Sequence, residues 1–284
     1  MTTATSGVPE RSFTRESILA RLQATIAEGR PIVGAGSSVG IVARAAEAGG
    51  ADLIIVYSTG KTRIWGLPTT PLLHSNPVTL SMYEEIDNVI DDTPIIGGAH
   101  AGDPTYRRLP RLVKAFRDIG FDGIINFPSS GADPERARMR EHVGQGLEHE
   151  AEMIRIAREQ DYFTLAYSYT PEQAQLNAAA GVDVQVAHTG WTAGGDLGRQ
   201  DAPSVEQSSE MVQRFIDITR KENPECICLA HGGSIATPEE TIYLYENTDA
   251  QGFVGASSIE RIPIERAVRQ TVEDFKNKHL RGRG

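Results

Sequence analysis

The feature that most constrains this chain is a rhythm. A short apolar run is followed by a turn rich in glycine or proline, then by an amphipathic stretch, and the cycle recurs from one end to the other. The apolar runs fall at residues 31–33, 52–57, 94–96, 123–126, 163–167, 182–187, 226–230 and 252–254. Runs apolar on both faces are what buried parallel strands require, and the intervals leave room for one crossover helix each. About eight such units in 284 residues predict an α/β fold, a (β/α)8 barrel of the TIM type, as a single domain. A doubly wound open sheet is the other topology the rhythm admits. No linker or composition shift marks a second domain; residues 1–12, small and polar, read as a disordered tail ahead of a barrel at 13–284.

In such a barrel the chemistry sits where strands end. The seventh run ends in His231-Gly232-Gly233-Ser234 and the eighth in Gly255-Ala256-Ser257-Ser258-Ile259-Glu260-Arg261. Glycine-rich turns opening helices let the backbone approach an anion. Gly232, Gly233, Ser257 and Ser258 are therefore candidates for holding a phosphate or carboxylate. The first run ends in Gly34-Ala35-Gly36-Ser37-Ser38, off pattern for a dinucleotide fingerprint, so Gly36 and Ser37 read as a bare turn beside a substrate. After the second run, Ser58 and Lys61 stand in Ser58-Thr59-Gly60-Lys61-Thr62-Arg63, which lacks the first glycine of a P-loop; ATP binding is discarded, while Lys61 or Arg63 remains available to an anion. The irregular stretch from there to Pro77, with Trp65 and several prolines, is a candidate lid.

His100, Asn126, Tyr167 and His188 close the third to sixth runs. Asn126 is expected at the mouth, its amide available to a carboxylate, a carbonyl or neighbouring backbone. His188 shares a strand face with Val182, Val184 and Val186. Three histidines at one barrel end suggest a proton-transfer site or a divalent metal, with His100, His188 and His231 as tentative ligands. The third strand lies far around the ring from the sixth and seventh, so acid–base or hydrogen-bonding work by His188 and His231 is preferred, with a divalent metal ion as the one candidate cofactor. Glu260 is a base or the ion-pair partner of Arg261.

The formal charge of −10 and pI near 5.2 argue against a nucleic-acid partner. No apolar run is long enough for a bilayer and the first residues lack a signal-peptide core, so a cytoplasmic protein acting on a small anionic substrate is expected. Cys226 and Cys228, two apart on one strand, neither pair comfortably nor complete a soft metal site.

The stretches GAGSSVGIVARAAEAGGADLIIVYSTGKTR, GFDGIINFPSSG, EAEMI, VAHTGWTAGG, LAHGGSIATPEE and GFVGASSIERIPIE carry a resemblance. Together they make the chain similar to the phosphoenolpyruvate hydrolase-like barrels, relatives of the phosphoenolpyruvate mutase and isocitrate lyase barrels. The resemblance implies cleavage of a small oxo- or enol-acid by hydrolysis or a lyase step. It also implies an exchanged last helix and hence a homo-oligomer, to which the amphipathic stretch 263–280 with Ile264, Ala267, Val268, Val272 and Phe275 would contribute. The chain departs from the mutases and lyases in two places. It has no paired aspartates at strand ends, and Asn126-Phe127-Pro128-Ser129 stands in place of the lyases' Lys-Cys-Gly-His loop. A similarity to the C-terminal half of a plant antiviral resistance protein implies the alternative, a non-catalytic barrel that senses a ligand or binds a protein.

Overall fold

The computed structural model describes residues 12–72 and 74–280; most of the expected tail at 1–12 lies outside the described residues. Eight parallel strands, β1 (Ile32–Gly36), β2 (Leu53–Val56), β3 (Ile95–Gly98), β4 (Gly123–Ile125), β5 (Phe163–Ser168), β6 (Val184–His188), β7 (Ile227–His231) and β8 (Gly252–Gly255), close into a barrel in sequence order. Closure is direct, with β1 paired to β8 through Ile32↔Gly252 and Gly34↔Val254. The strands fall within a few residues of the apolar runs, and the open sheet is ruled out.

Alternation along each strand decides what fills the barrel. Leu53, Ile55, Phe163, Leu165, Val184, Val186, Ile227, Leu229 and Val254 form one inner cluster, and Ile18 and Leu22 of the first helix, Arg15–Ala27, plug its lower end. Continuing the same parity upward brings Tyr57, Tyr167, His188 and His231 to the top layer. A second cluster, with Ile54, Val56, Leu112, Val113, Phe116 and Ile124, faces outward against the helices. Among the described residues no helix is long and apolar enough to cross a membrane.

The lower rim is held by a recurring device. Asp52, just before β2, accepts the Val33 N–H at 2.8 Å. Asp122, before β4, accepts from Ile95 at 2.8 Å, Asp183, before β6, from Thr164 at 3.0 Å, and Gln251, before β8, from Cys228 at 3.0 Å. Each even strand thus begins by closing a backbone donor of the odd strand before it, a group that would otherwise be costly to bury.

Candidate active site

At the upper end a cavity of about 370 Å³ opens among the strand ends. His188 and His231 stand side by side on its floor because β6 and β7 pair in register at His188↔His231, with ring centroids 4.4 Å apart. Their hydrogen bonds assign them opposite tautomers. The Nδ1 of His188 accepts the Gly190 N–H at 3.1 Å, so its proton sits on Nε2. The Nδ1 of His231 lies 2.6 Å from the Val254 carbonyl, which has no proton to give, so Nδ1 is protonated and Nε2 is a bare acceptor. Burial holds His188 well below the ordinary histidine value, with His231 beside it adding to the effect. Burial likewise pulls His231 down to about 4, the Val254 bond opposing and Arg63 reinforcing the shift. Both rings are therefore neutral near pH 7, one a donor and the other an acceptor.

Aromatic rings fix this pair. Tyr169 stacks on His188 at 4.1 Å, and Tyr167 meets His188 at 5.0 Å and His231 at 4.9 Å. Burial raises the Tyr167 phenol well above its usual value, leaving it a proton donor. Gly232 is required by the same corner. Its φ is +81°, and a Cβ there would stand 2.2 Å from the Gly190 carbonyl that accepts the Gly233 N–H.

Positive charge comes from Arg63 and Arg261, both lining the cavity with their carboxylates placed behind them. Glu260, fully buried, accepts Arg63 Nε at 2.9 Å, the Ser38 N–H at 2.7 Å and the Ser38 hydroxyl at 3.0 Å. It binds the turns after β1, β2 and β8 together and is not itself on the cavity wall. Its partner is Arg63, while Arg261 pairs with Glu265 at 2.9 Å. The Nη2 of Arg63 stands 2.8 Å from the same Glu260 carboxylate, an ion pair without hydrogen-bond alignment.

Of the residues singled out by sequence, Tyr167, His188, His231 and Ser257 surround the cavity. Lys61 turns away toward Glu85 at 3.9 Å, and Arg63, two positions on in the short helix Thr59–Ile64, takes the inward place. Asn126 spends its amide on the neighbouring backbone, accepting from Tyr167 N–H at 2.7 Å and donating to its carbonyl at 3.1 Å. Gly36 packs against Ala256, Ser37 donates its N–H to Ile55, and Ser58 donates its own to Thr79. Gly232 and Gly233 close against the loop after β6, and Ser258 lies outside the wall with its hydroxyl buried and unpartnered. His100 is set apart, its Nε2 3.2 Å from Arg140. Tyr57 and Phe127, in contact at 4.7 Å, close over Gly98 of β3 just below it. Sequence reading reached the start of the loop after β6, through Trp191 and Thr192, but left out Leu197, Arg199 and Asp201, which complete the outer wall. The loop's glycines carried no periodicity to flag them.

A closed parallel barrel with a cavity at the strand C-termini, lined by two histidines and by arginines, is the architecture of the TIM-barrel class. The chain belongs to the phosphoenolpyruvate hydrolase-like family, whose model matches residues 17–278. It is 39% identical over 275 residues to the ToMV susceptible protein tm-1(GCR26) of Solanum lycopersicum. It is 38% identical to the ToMV resistance protein Tm-1(GCR237) of the same plant, covering 95% of this chain and 36% of that one. The chain thus spans about a third of the length of these relatives. Among solved structures it is similar to phosphonopyruvate hydrolase in complex with oxalate and Mg++ (TM-score 0.60, 16% identity, 91% of this chain and 87% of that one). It is also similar to phosphoenolpyruvate phosphomutase from Streptomyces platensis subsp. rosaceus (TM-score 0.59, 18% identity, 91% and 87%). At such identities these likenesses speak for the fold.

The Mg++ of that neighbour prompts a test of the donor set here. The cavity wall carries one carboxylate, Asp201, and it is tied to Arg199 at 2.7 Å. The tentative trio His100, His188 and His231 is not assembled, since Arg140 occupies His100, and among the described residues no three His, Cys, Asp or Glu side chains converge. A divalent cation wants several oxygen or imidazole donors at one point. These residues do not fit one.

Proposed function

We propose that the chain is an enzyme cleaving a small oxo- or enol-acid, by hydrolysis or by a C–C lyase step. The observation that carries this reading is the pair of neutral, oppositely protonated imidazoles, His188 and His231, set beside Arg63 in one cavity. The acid's carboxylate lies against Arg63 and Arg261, the two guanidinium groups on the buried part of the wall. The Nε2–H of His188, a neutral imidazole, is an electrophilic hydrogen-bond donor to the carbonyl oxygen as it gains charge. The Nε2 of His231 takes a proton. In hydrolysis that proton comes from water as its oxygen bonds to the carbonyl carbon. The carbon–carbon bond then breaks, its electron pair leaves with the departing carbon, and that carbon takes the proton from His231. In a lyase step the acid carries a hydroxyl on the carbon next to the breaking bond. His231 takes that proton, the C–O bond becomes a carbonyl as the carbon–carbon bond breaks, and the leaving carbon, which keeps the electron pair, takes the proton back.

The test is a screen of oxo-acids and phosphorylated acids with and without divalent metal, read by product formation. The expected result is turnover of a carboxylate-bearing acid that persists in chelator. Saturable binding with no turnover of any acid would favour a ligand-sensing or protein-binding barrel, the reading to which the kinship with the ToMV resistance protein lends weight.

A further inference from the structure

The cavity has two zones of opposite chemistry. Its inner zone is made by buried strand-end residues, namely Arg63, Tyr167, His188, His231 and Ser257. The outer zone is made by loops: Pro68 after β2, then Trp191, Leu197, Arg199 and Asp201 after β6. Trp191 and Leu197 stay 39% and 38% exposed there, large apolar side chains at the cavity's opening.

The outer wall is preformed. The Gly194 carbonyl accepts Arg261 Nη2 at 3.2 Å, the Asp196 N–H donates to Glu265 at 3.0 Å, and the Ala193 N–H donates to the Gly233 carbonyl at 2.8 Å. Arg269 adds an ion pair to Asp196. A wall fixed in advance costs little ordering when a ligand arrives.

Size and charge then limit the ligand. At about 30 Å³ per water the 370 Å³ cavity holds roughly twelve water-sized groups, twice the roughly six non-hydrogen atoms of a three-carbon oxo-acid. The cations that reach the outer loop each have a carboxylate of their own, Arg199 with Asp201 at 2.7 Å and Arg261 with Glu265 at 2.9 Å, so neither is set aside for a second anionic group such as a phosphate. We infer that the site takes a 2-oxo acid whose far end is an uncharged, ring-sized apolar group. The acid end sits on Arg63 and the histidines, and the ring lies between Trp191, Leu197 and Pro68. This rests on the proposed reading of the inner zone as an acid site.

Pyruvate and phenylpyruvate share a head group and differ by the ring, so calorimetric titration of the whole chain with each isolates the outer zone. Phenylpyruvate is expected to bind at least about tenfold more tightly. In the double variant Trp191→Ala, Leu197→Ala the two affinities are expected to come within about threefold of each other. Both substitutions fall on exposed loop positions, and an unchanged thermal midpoint verifies the fold. Equal affinities in the parent chain would overturn the ring inference while leaving the acid site standing. A preference that survives the double variant would overturn the assignment of the ring to this wall. Failure of both acids to bind would remove the acid site itself, and the inference with it.

Discussion

Because burial holds His231 at about 4, the free protein keeps the proposed proton acceptor unprotonated far below the ordinary histidine range. The expected kcat/KM is therefore flat from roughly pH 8 to pH 5 and falls on an acid limb centred near 4, the protonated form being the inactive one. A limb near 6.5 would mean that the base is a solvated group elsewhere. Stability moves in the same direction. Between 6.5 and about 4 the unfolded chain binds a proton that the folded His231 refuses, so stability falls as the pH drops through that window and is fully present above it. At about 1.4 kcal/mol per unit the His231 share of the loss is up to about 3 kcal/mol, to be read from urea midpoints at both ends of the window and smaller in His231→Gln, where His188 and His100, also held down by burial, still contribute. The substitutions His188→Gln and His231→Gln are each expected to lower kcat by roughly 10²–10⁴-fold with small changes in thermal midpoint. Full activity in either variant would make that histidine structural. Sequence placed both histidines at strand ends, since parity with Val184 and Val186 extends to His188. Their tautomers were not legible, because the deciding atoms are backbone groups of Gly190 and Val254.

Between the elements, the fully buried Glu260 is the knot. It ties the Arg63 helix to the turn after β1, so Glu260→Ala strands a buried guanidinium and is expected to cost about 3–5 kcal/mol in denaturant unfolding. Loss of under about 1 kcal/mol would show that water reaches the pair. Strand positions were readable because apolar runs state burial directly. The choice between Lys61 and Arg63 was not, because residues 57–77 lack a helical period, and yet Thr59–Ile64 is a helix. Its orientation is set by a partner, Glu260, about two hundred residues away, at a separation of 197. Most of the outer wall was likewise hidden, since much of what holds it comes from Arg261, Glu265 and Arg269 of the final helix Arg261–Lys276.

At the scale of the whole molecule, that final helix buries only Arg261 and Ile262. Ile264, Val268, Val272 and Phe275 stand 42%, 58%, 54% and 77% exposed on one side, an apolar stripe its own barrel leaves bare. We propose that a second copy covers it. Light scattering at low micromolar concentration is expected to give a multiple of 30.8 kDa, and a clean mass of one chain would end the proposal. The opposite face of the barrel bears on time rather than shape. Asp52, Asp122, Asp183 and Gln251 bridge separations of only 19, 27, 19 and 23 residues, whereas the residues before the odd strands, Pro31, Pro94, Tyr162 and Cys226, offer no such carboxylate or amide. Short loops close at the least entropic cost. The chain is thus expected to assemble by quarters, β1 with β2, β3 with β4, β5 with β6 and β7 with β8. In pulse-labelled hydrogen exchange the amides of Val33, Ile95, Thr164 and Cys228 should become protected before those joining one quarter to the next. A barrel that closes its quarters first at the base leaves the mouth to be finished last, so loops there can be exchanged for others without disturbing the order in which the rest is made.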